Sequence, residues 1–142
     1  FTKLYKYFYS IMNCIVDWVL LLDDDEIQNF IHQRIIRKFV PESKIIVATN
    51  GQVGIQILQA LMENKKNTKR GIIFLDINMP IMNGFQFLEL FHQDFASQFS
   101  NTSVYPLSSS DDIKDVIQMN QLGAENYIVK PLTQEFANSL FV

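Results

Sequence analysis

The stretch IIFLDINMP, Ile72 to Pro80, is an unbroken apolar run that delivers one carboxylate, Asp76, and ends almost at once at a proline. A strand with no polar alternation is apolar on both faces, and such strands belong in the interior of a parallel sheet covered on both sides. In open parallel sheets the functional crevice lies just beyond the carboxyl ends of the strands. Asp76 stands at such an end, and the turn through Asn78 to Pro80 carries the chain away and leaves the carboxylate accessible.

Four further runs share this character: WVLLL from Trp18, IIVA from Ile45, VYPL from Val104 and YIV from Tyr127. Helical patterns lie between them. After the first run Ile27, Phe30, Ile31, Ile35 and Phe39 recur at three- and four-residue steps, with Gln28, Gln33, Arg34, Arg37 and Lys38 on the other side, which predicts an amphipathic helix with the apolar stripe inward. Similar stripes appear at Val53, Ile57 and Leu61, at Leu88 and Phe91, and at Ile113, Val116 and Ile117. Asn83-Gly84 reads as the turn into the third helix, and Gly123 as a left-handed terminator of the fourth. Strands alternating with helices give the class α/β. Asp94 to Ser103 is expected to be the longest irregular connection and the most mobile. Pro106, inside the fourth strand, predicts a bulge or a late start there.

The bulk numbers narrow the function. A chain of 142 residues, 48% hydrophobic, suits one compact domain. A formal charge of -3 offers no basic field for a polyanion, so no direct nucleic-acid binding is expected. Cys14 is the only cysteine, which excludes an internal disulfide and a cysteine-rich zinc site and suits a reducing cytoplasm. The opening segment pairs two lysines with an apolar stretch, yet Asn13 and Asp17 interrupt it well short of the roughly 20 residues of a membrane span, and no small-residue cleavage site follows. Residues 1–17 are therefore read as an aromatic-rich extension and 18–142 as the domain.

The strand ends are chemically consistent. The first ends in Asp23 to Glu26, the third in Asp76, the fourth in Ser108 to Ser110, and the fifth in Lys130-Pro131. Carboxylates brought together raise one another's pKa unless a cation compensates. Hard oxygen donors without histidine or thiolate favour Mg²⁺, which is typically held by one or two carboxylates together with a phosphate oxygen. Lys130 and Ser108 supply donors for phosphoryl oxygens, and Asp76 can act as a nucleophile that forms an acyl phosphate.

With these residues in order, the acidic cluster after LLL, FLDINMPIMNG (Phe74 to Gly84), Ser108 and GAENYIVKPL (Gly123 to Leu132), the chain resembles the receiver domain of bacterial two-component response regulators from about Trp18 to its end. The resemblance implies a flavodoxin-like (βα)5 doubly wound sheet with strand order 2-1-3-4-5. It implies Asp76 as phosphoacceptor, with Asp24 on Mg²⁺ directly, Asp23 mostly through water, and the Asn78 carbonyl as a further ligand. Ser108 and Lys130 would touch the phosphoryl oxygens, Tyr127 would change rotamer as Ser108 moves, and Lys130-Pro131 would be cis. It further implies a sensor histidine kinase or phosphotransfer protein as donor, a downstream protein partner, and a homodimer that forms on phosphorylation as one more partner. A signalling module rather than an enzyme is expected, acting only on its own phosphoryl group.

The chain departs from the family pattern in Ser108, where threonine is commoner, and in Ser109, where a small residue such as alanine is usual. The last helix, from Thr133, has only ten residues through Val142, so an output domain beyond Val142 is allowed for. Two alternatives stand beside this reading. A haloacid-dehalogenase-type phosphatase would want an acid two residues after the nucleophile, where Asn78 stands; a receiver-like module that is never phosphorylated would not need the full residue set. Asp25 or Glu26 is assigned to the helix N-terminus. His32 and His92 are assigned to helix surfaces, since neither has a second ligand at helical spacing.

Overall fold

The computed structural model describes residues 2–5 and 16–141, so Cys14 and most of the aromatic extension lie outside the described residues. The domain follows the expected alternation: β1 (Trp18–Leu22), α1 (Glu26–Ile36), β2 (Ile45–Ala48), α2 (Gly51–Glu63), β3 (Gly71–Leu75), α3 (Gly84–Leu90), β4 (Thr102–Ser108), α4 (Ile113–Gln121), β5 (Ile128–Val129) and α5 (Gln134–Phe141). The strands form one parallel sheet in the order β2-β1-β3-β4-β5, the doubly wound arrangement.

Side-chain alternation along the buried strands divides the core in two. Trp18, Leu20, Leu22, Ile73 and Leu75 point to a cluster with Leu58, Phe87, Phe91, Phe99 and Met119, while Val19, Leu21, Ile72 and Phe74 point to one with Ile36, Val40, Ala137 and Phe141. Val16 already packs in the second cluster. Close packing fixes Gly71, where a Cβ would come within 2.1 Å of the Trp18 indole.

Several expectations about faces fail. On α1 the buried residues are Asn29, His32 and Ile36, whereas Ile27 and Phe30 are 71% and 58% exposed and Ile31 also faces solvent. Only the second half of the stripe turns inward, where Ile35 and Phe39 pack against the second cluster; in the first half Asn29 and His32 take the buried face. On α4 Ile113 and Ile117 are likewise exposed, and Met119 is the buried residue. His32 is 1% exposed and so is a core residue, not a surface one. His92 is exposed, as expected.

β4 runs straight through Pro106, which pairs in register with Leu75, without bulge or delay. The carbonyls of Val104 and Ser108 accept from Glu125 and Lys130, so even-numbered residues of β4 face β5. Pro106 therefore has its missing N–H on the side where β5 contributes only two residues, and the short partner strand absorbs the loss. The connection from Asp94 is also more ordered than expected. α3 runs on as a π-turn over Phe91–Phe95, closed by Ala96 N–H to the Phe91 carbonyl at 2.8 Å, and Phe95 and Phe99 enter the core. The terminators act as read: Asp25 caps α1, Asn83 and Gln86 form a capping box at α3, and Gly123 has φ +80° after α4.

Candidate functional site

The carboxyl ends of β1, β3, β4 and β5 converge. Asp23 is held from below and from both sides: its N–H donates to the Ala48 carbonyl at 3.0 Å, its Oδ1 accepts from Asp25 N–H at 2.9 Å, and its own carbonyl accepts from Asn29 Nδ2 at 2.8 Å. Asp76 follows β3 directly and donates its N–H to the Leu22 carbonyl at 2.9 Å. Gly84 allows the start of α3 to press on this backbone, since a Cβ there would lie 2.3 Å from the Asp76 carbonyl oxygen. Lys130 donates its N–H to the Ser108 carbonyl at 2.9 Å, which fixes the end of β5 against β4, and the Lys130-Pro131 peptide is cis.

The side chains meet accordingly. Lys130 Nζ lies 2.6 Å from Asp23 Oδ2 and 3.4 Å from Asp76 Oδ2, all three side chains being largely buried. Asp23, Asp24 and Asp76 bring ligand oxygens within 4.8 Å of one another, with Asp24 exposed at the rim. Asn78, two residues beyond Asp76, is exposed in the loop that follows. Ser108 is fully buried. Tyr127 is half-buried and donates its hydroxyl to the Ser110 carbonyl at 2.7 Å, so it lies against the loop that Ser108 begins. A cavity of about 400 Å³ opens beside Lys130, lined by Asp25, Gln28, Ile31, Ser109 and Pro131.

The charge balance is unequal. Among the described residues three carboxylates face one ammonium, a formal excess of two negative charges. Burial raises the Asp76 pKa above the ordinary value of 3.8; Lys130 opposes this, Asp23 adds to it, and the Ser108 hydroxyl bond opposes it. Burial alone would lower Lys130, but its bond to Asp23 and the two carboxylate charges outweigh that and raise it. The distances explain both directions: the lysine serves Asp23 first, and Asp76 is the less compensated partner. A hard divalent cation fits this donor set in charge and in ligand type.

Reasoning from the sequence missed His32. Its Nε2 accepts from the Leu132 N–H at 3.3 Å, two residues beyond the lysine. Burial first, then the Lys130 charge, lower its pKa from 6.5 to about 4 against a smaller opposing effect of Asp23, so the ring is neutral. A polar residue at a core position of a helix was the available signal.

The loop after Asp76 carries a second unforeseen feature. Ile81 has φ +68° and is 76% exposed. A β-branched residue in the left-handed region is strained by roughly 1–3 kcal/mol. Ile81→Asn is expected to raise stability by about 1 kcal/mol. Urea unfolding of the metal-free protein checks it, and an unchanged or lower midpoint would contradict the strain.

Comparison with known proteins places the chain in a family. The family described as the response regulator receiver domain matches residues 19–138. The "Probable C4-dicarboxylate response regulator DctR" of Priestia megaterium is 27% identical over 117 residues, 82% of this chain; the chain spans only 46% of that relative. Among solved structures, a two-component response regulator from Cytophaga hutchinsonii superposes with TM-score 0.77 at 38% identity, covering 88% of this chain and 93% of that one. One from Legionella pneumophila gives 0.71 at 32% identity, covering 88% and 94%. Nothing among these relatives favours a phosphatase.

Proposed function

The chain belongs to the response regulator receiver family, and from that premise we propose that Asp76 accepts a phosphoryl group from a phosphohistidine on a sensor kinase or phosphotransfer protein. The observation that carries this reading is the buried Asp23–Lys130–Asp76 arrangement, in which Asp76 is the carboxylate left short of positive charge. Domains of this family are signalling modules, and this one is read as residues 18–142, with 1–17 as an extension. The site is read as working in the cytoplasm; no helix among the described residues is long and apolar enough to cross a membrane.

In the proposed step an Asp76 oxygen attacks phosphorus. The new O–P bond forms as the P–N bond of the donor breaks, and the imidazole leaves with that electron pair. Hydrolysis later attacks the same phosphorus with water, breaks the O–P bond and returns the carboxylate with inorganic phosphate. Lys130 Nζ and the Ser108 hydroxyl would hold phosphoryl oxygens. Asp23, Asp24, Asp76 and the Asn78 carbonyl would hold Mg²⁺, which when bound neutralises charge on the transferring group. The acyl phosphate carries roughly -2 where the carboxylate carried -1, a net gain of about one negative charge together with new acceptor oxygens, drawing Ser108 and Lys130 inward; Tyr127 would then leave the Ser110 carbonyl and follow. A downstream protein, or a second copy of the chain, would read the altered surface of β4, α4 and β5, where Ile113 and Ile117 of α4 and Val129 of β5 are exposed.

Incubation with phosphoramidate and Mg²⁺ followed by intact mass measurement tests the reading. A labile gain of one phosphoryl group, absent in Asp76→Asn, is expected. Turnover of assorted phosphate esters would point to a phosphatase, and no adduct to a module that is never phosphorylated.

The outward stripe of α1 also finds a use. Ile31 lines the cavity beside Lys130, and Ile27 and Phe30 are exposed on the same helix within one turn of it, an apolar patch for a protein donor. Phe30→Ala is expected to slow transfer from a protein phosphohistidine about tenfold or more and to leave uptake from phosphoramidate unchanged. Equal slowing with both donors would refute a docking role.

A further inference from the structure

We propose that Asn29 and His32 are positioning residues that hold the two halves of the Asp23–Lys130 pair, Asn29 through the Asp23 carbonyl and His32 through the Leu132 amide. The inference rests on the reading of Asp76 as phosphoacceptor and deepens it. The two residues are three apart on α1 and so share one face, and that face is buried. Buried polar side chains are costly unless they make specific bonds. On the same helix Ile27, Phe30 and Ile31 are exposed while Asn29 and His32 are buried.

Their bonds end at the two backbone segments that carry the ion pair. Asn29 Nδ2 donates to the carbonyl of Asp23 itself at 2.8 Å. His32 Nε2 accepts from Leu132 N–H, across 100 residues of sequence, just beyond the Lys130-Pro131 bond. One turn of α1 thus spans the gap between the end of β1 and the end of β5, which are not neighbouring strands. The 2.6 Å contact between Asp23 and Lys130 is set at both ends by this one helix.

The roles separate in measurement. Residues that orient metal ligands typically govern affinity by about 10–100-fold, so Asn29→Leu is expected to weaken Mn²⁺ binding, read by calorimetric titration, about tenfold. A group misplaced by about 1 Å can cost on the order of 10²-fold in rate. His32→Leu is accordingly expected to leave Mn²⁺ affinity little changed but to slow phosphoryl uptake from phosphoramidate, at saturating Mg²⁺, by about tenfold or more. His32→Gln, whose Oε1 can still accept from Leu132, should recover most of that rate. Urea unfolding of each variant tracks stability alongside. The proposal is overturned if both leucine variants lower affinity and rate together in step with stability, if neither quantity moves, or if His32→Gln behaves like His32→Leu. Should the wild type bind Mn²⁺ yet take up no phosphoryl group, the phosphoacceptor reading fails separately, and unchanged Mn²⁺ affinity in Asn29→Leu then overturns the positioning role. Absence of Mn²⁺ binding by the wild type overturns both.

Discussion

Lys130→Met is expected to remove a large part of the metal-free protein's stability and to regain much of it when a divalent cation is added. The lysine side chain is only 10% exposed and is the one ammonium set against Asp23 and Asp76. Removing one partner of a buried pair costs about 3–5 kcal/mol, because the charge left behind has neither water nor counter-ion. Typical domains have only about 5–15 kcal/mol to lose. The sign follows from the raised Lys130 pKa: its contribution is complete at every pH below the unfolded value of 10.5 and fades as pH rises through the folded one. At pH 7 the full loss should therefore be seen. Mg²⁺ bound as proposed would supply positive charge to the same oxygens, so the deficit should shrink in its presence. Uptake of the phosphoryl group should fall by about 10²–10³, the usual cost of removing a preorganised donor to developing charge. Urea unfolding at pH 7 with and without Mg²⁺ is the measurement. A deficit that ignores the cation would mean that Lys130 packs rather than compensates.

The strands and the strand-end site were legible in the sequence for the same reason. A strand buried on both faces has no orientation to choose: WVLLL and GIIFL could only be interior, and whatever follows them must arrive at one edge. Asp23, Asp76, Ser108 and Lys130 were thus placed together by topology before any distance was known. Helices offer a choice of face, and there the pattern misled. On α1 and α4 the apolar stripe was read as inward because burial is the usual fate of such a stripe. The competing terms were local hydrogen bonds on one side of α1 and, on the other, apolar groups left outside. His32 was misassigned because polarity was taken as exposure. Pro106 was misassigned because the damage it does depends on which neighbour its nitrogen faces, a matter of register that composition does not carry.

Asp76 and His32 should drive stability in opposite directions as pH changes. Asp76 has a raised folded pKa, so its unfolded carboxyl ionises first, near 3.8. The stability tied to its protonated form is complete below that value and is lost as pH rises through the folded pKa. His32 has a folded pKa lowered to about 4 against 6.5 unfolded, so its contribution is complete above 6.5 and is lost as pH falls towards 4. At 1.36 kcal/mol per pH unit the histidine alone accounts for about 3 kcal/mol across that window. In the metal-free wild type the two contributions have opposite slopes, so the profile should be shallower than that of Asp76→Asn. Asp76→Asn removes the descending component, so stability should climb steeply with pH between about 4 and 6.5. His32→Gln removes the ascending one, so stability should instead decline as pH rises from about 4. Equilibrium unfolding of the three proteins in chelator-treated buffers reads the slopes directly. Slopes of the same sign in the two variants would mean that neither buried group titrates as its surroundings require. Repeating the series with Mg²⁺ adds an internal check: a cation held as proposed would compensate the ionised Asp76, so the decline seen in His32→Gln should flatten, while the rise seen in Asp76→Asn should persist.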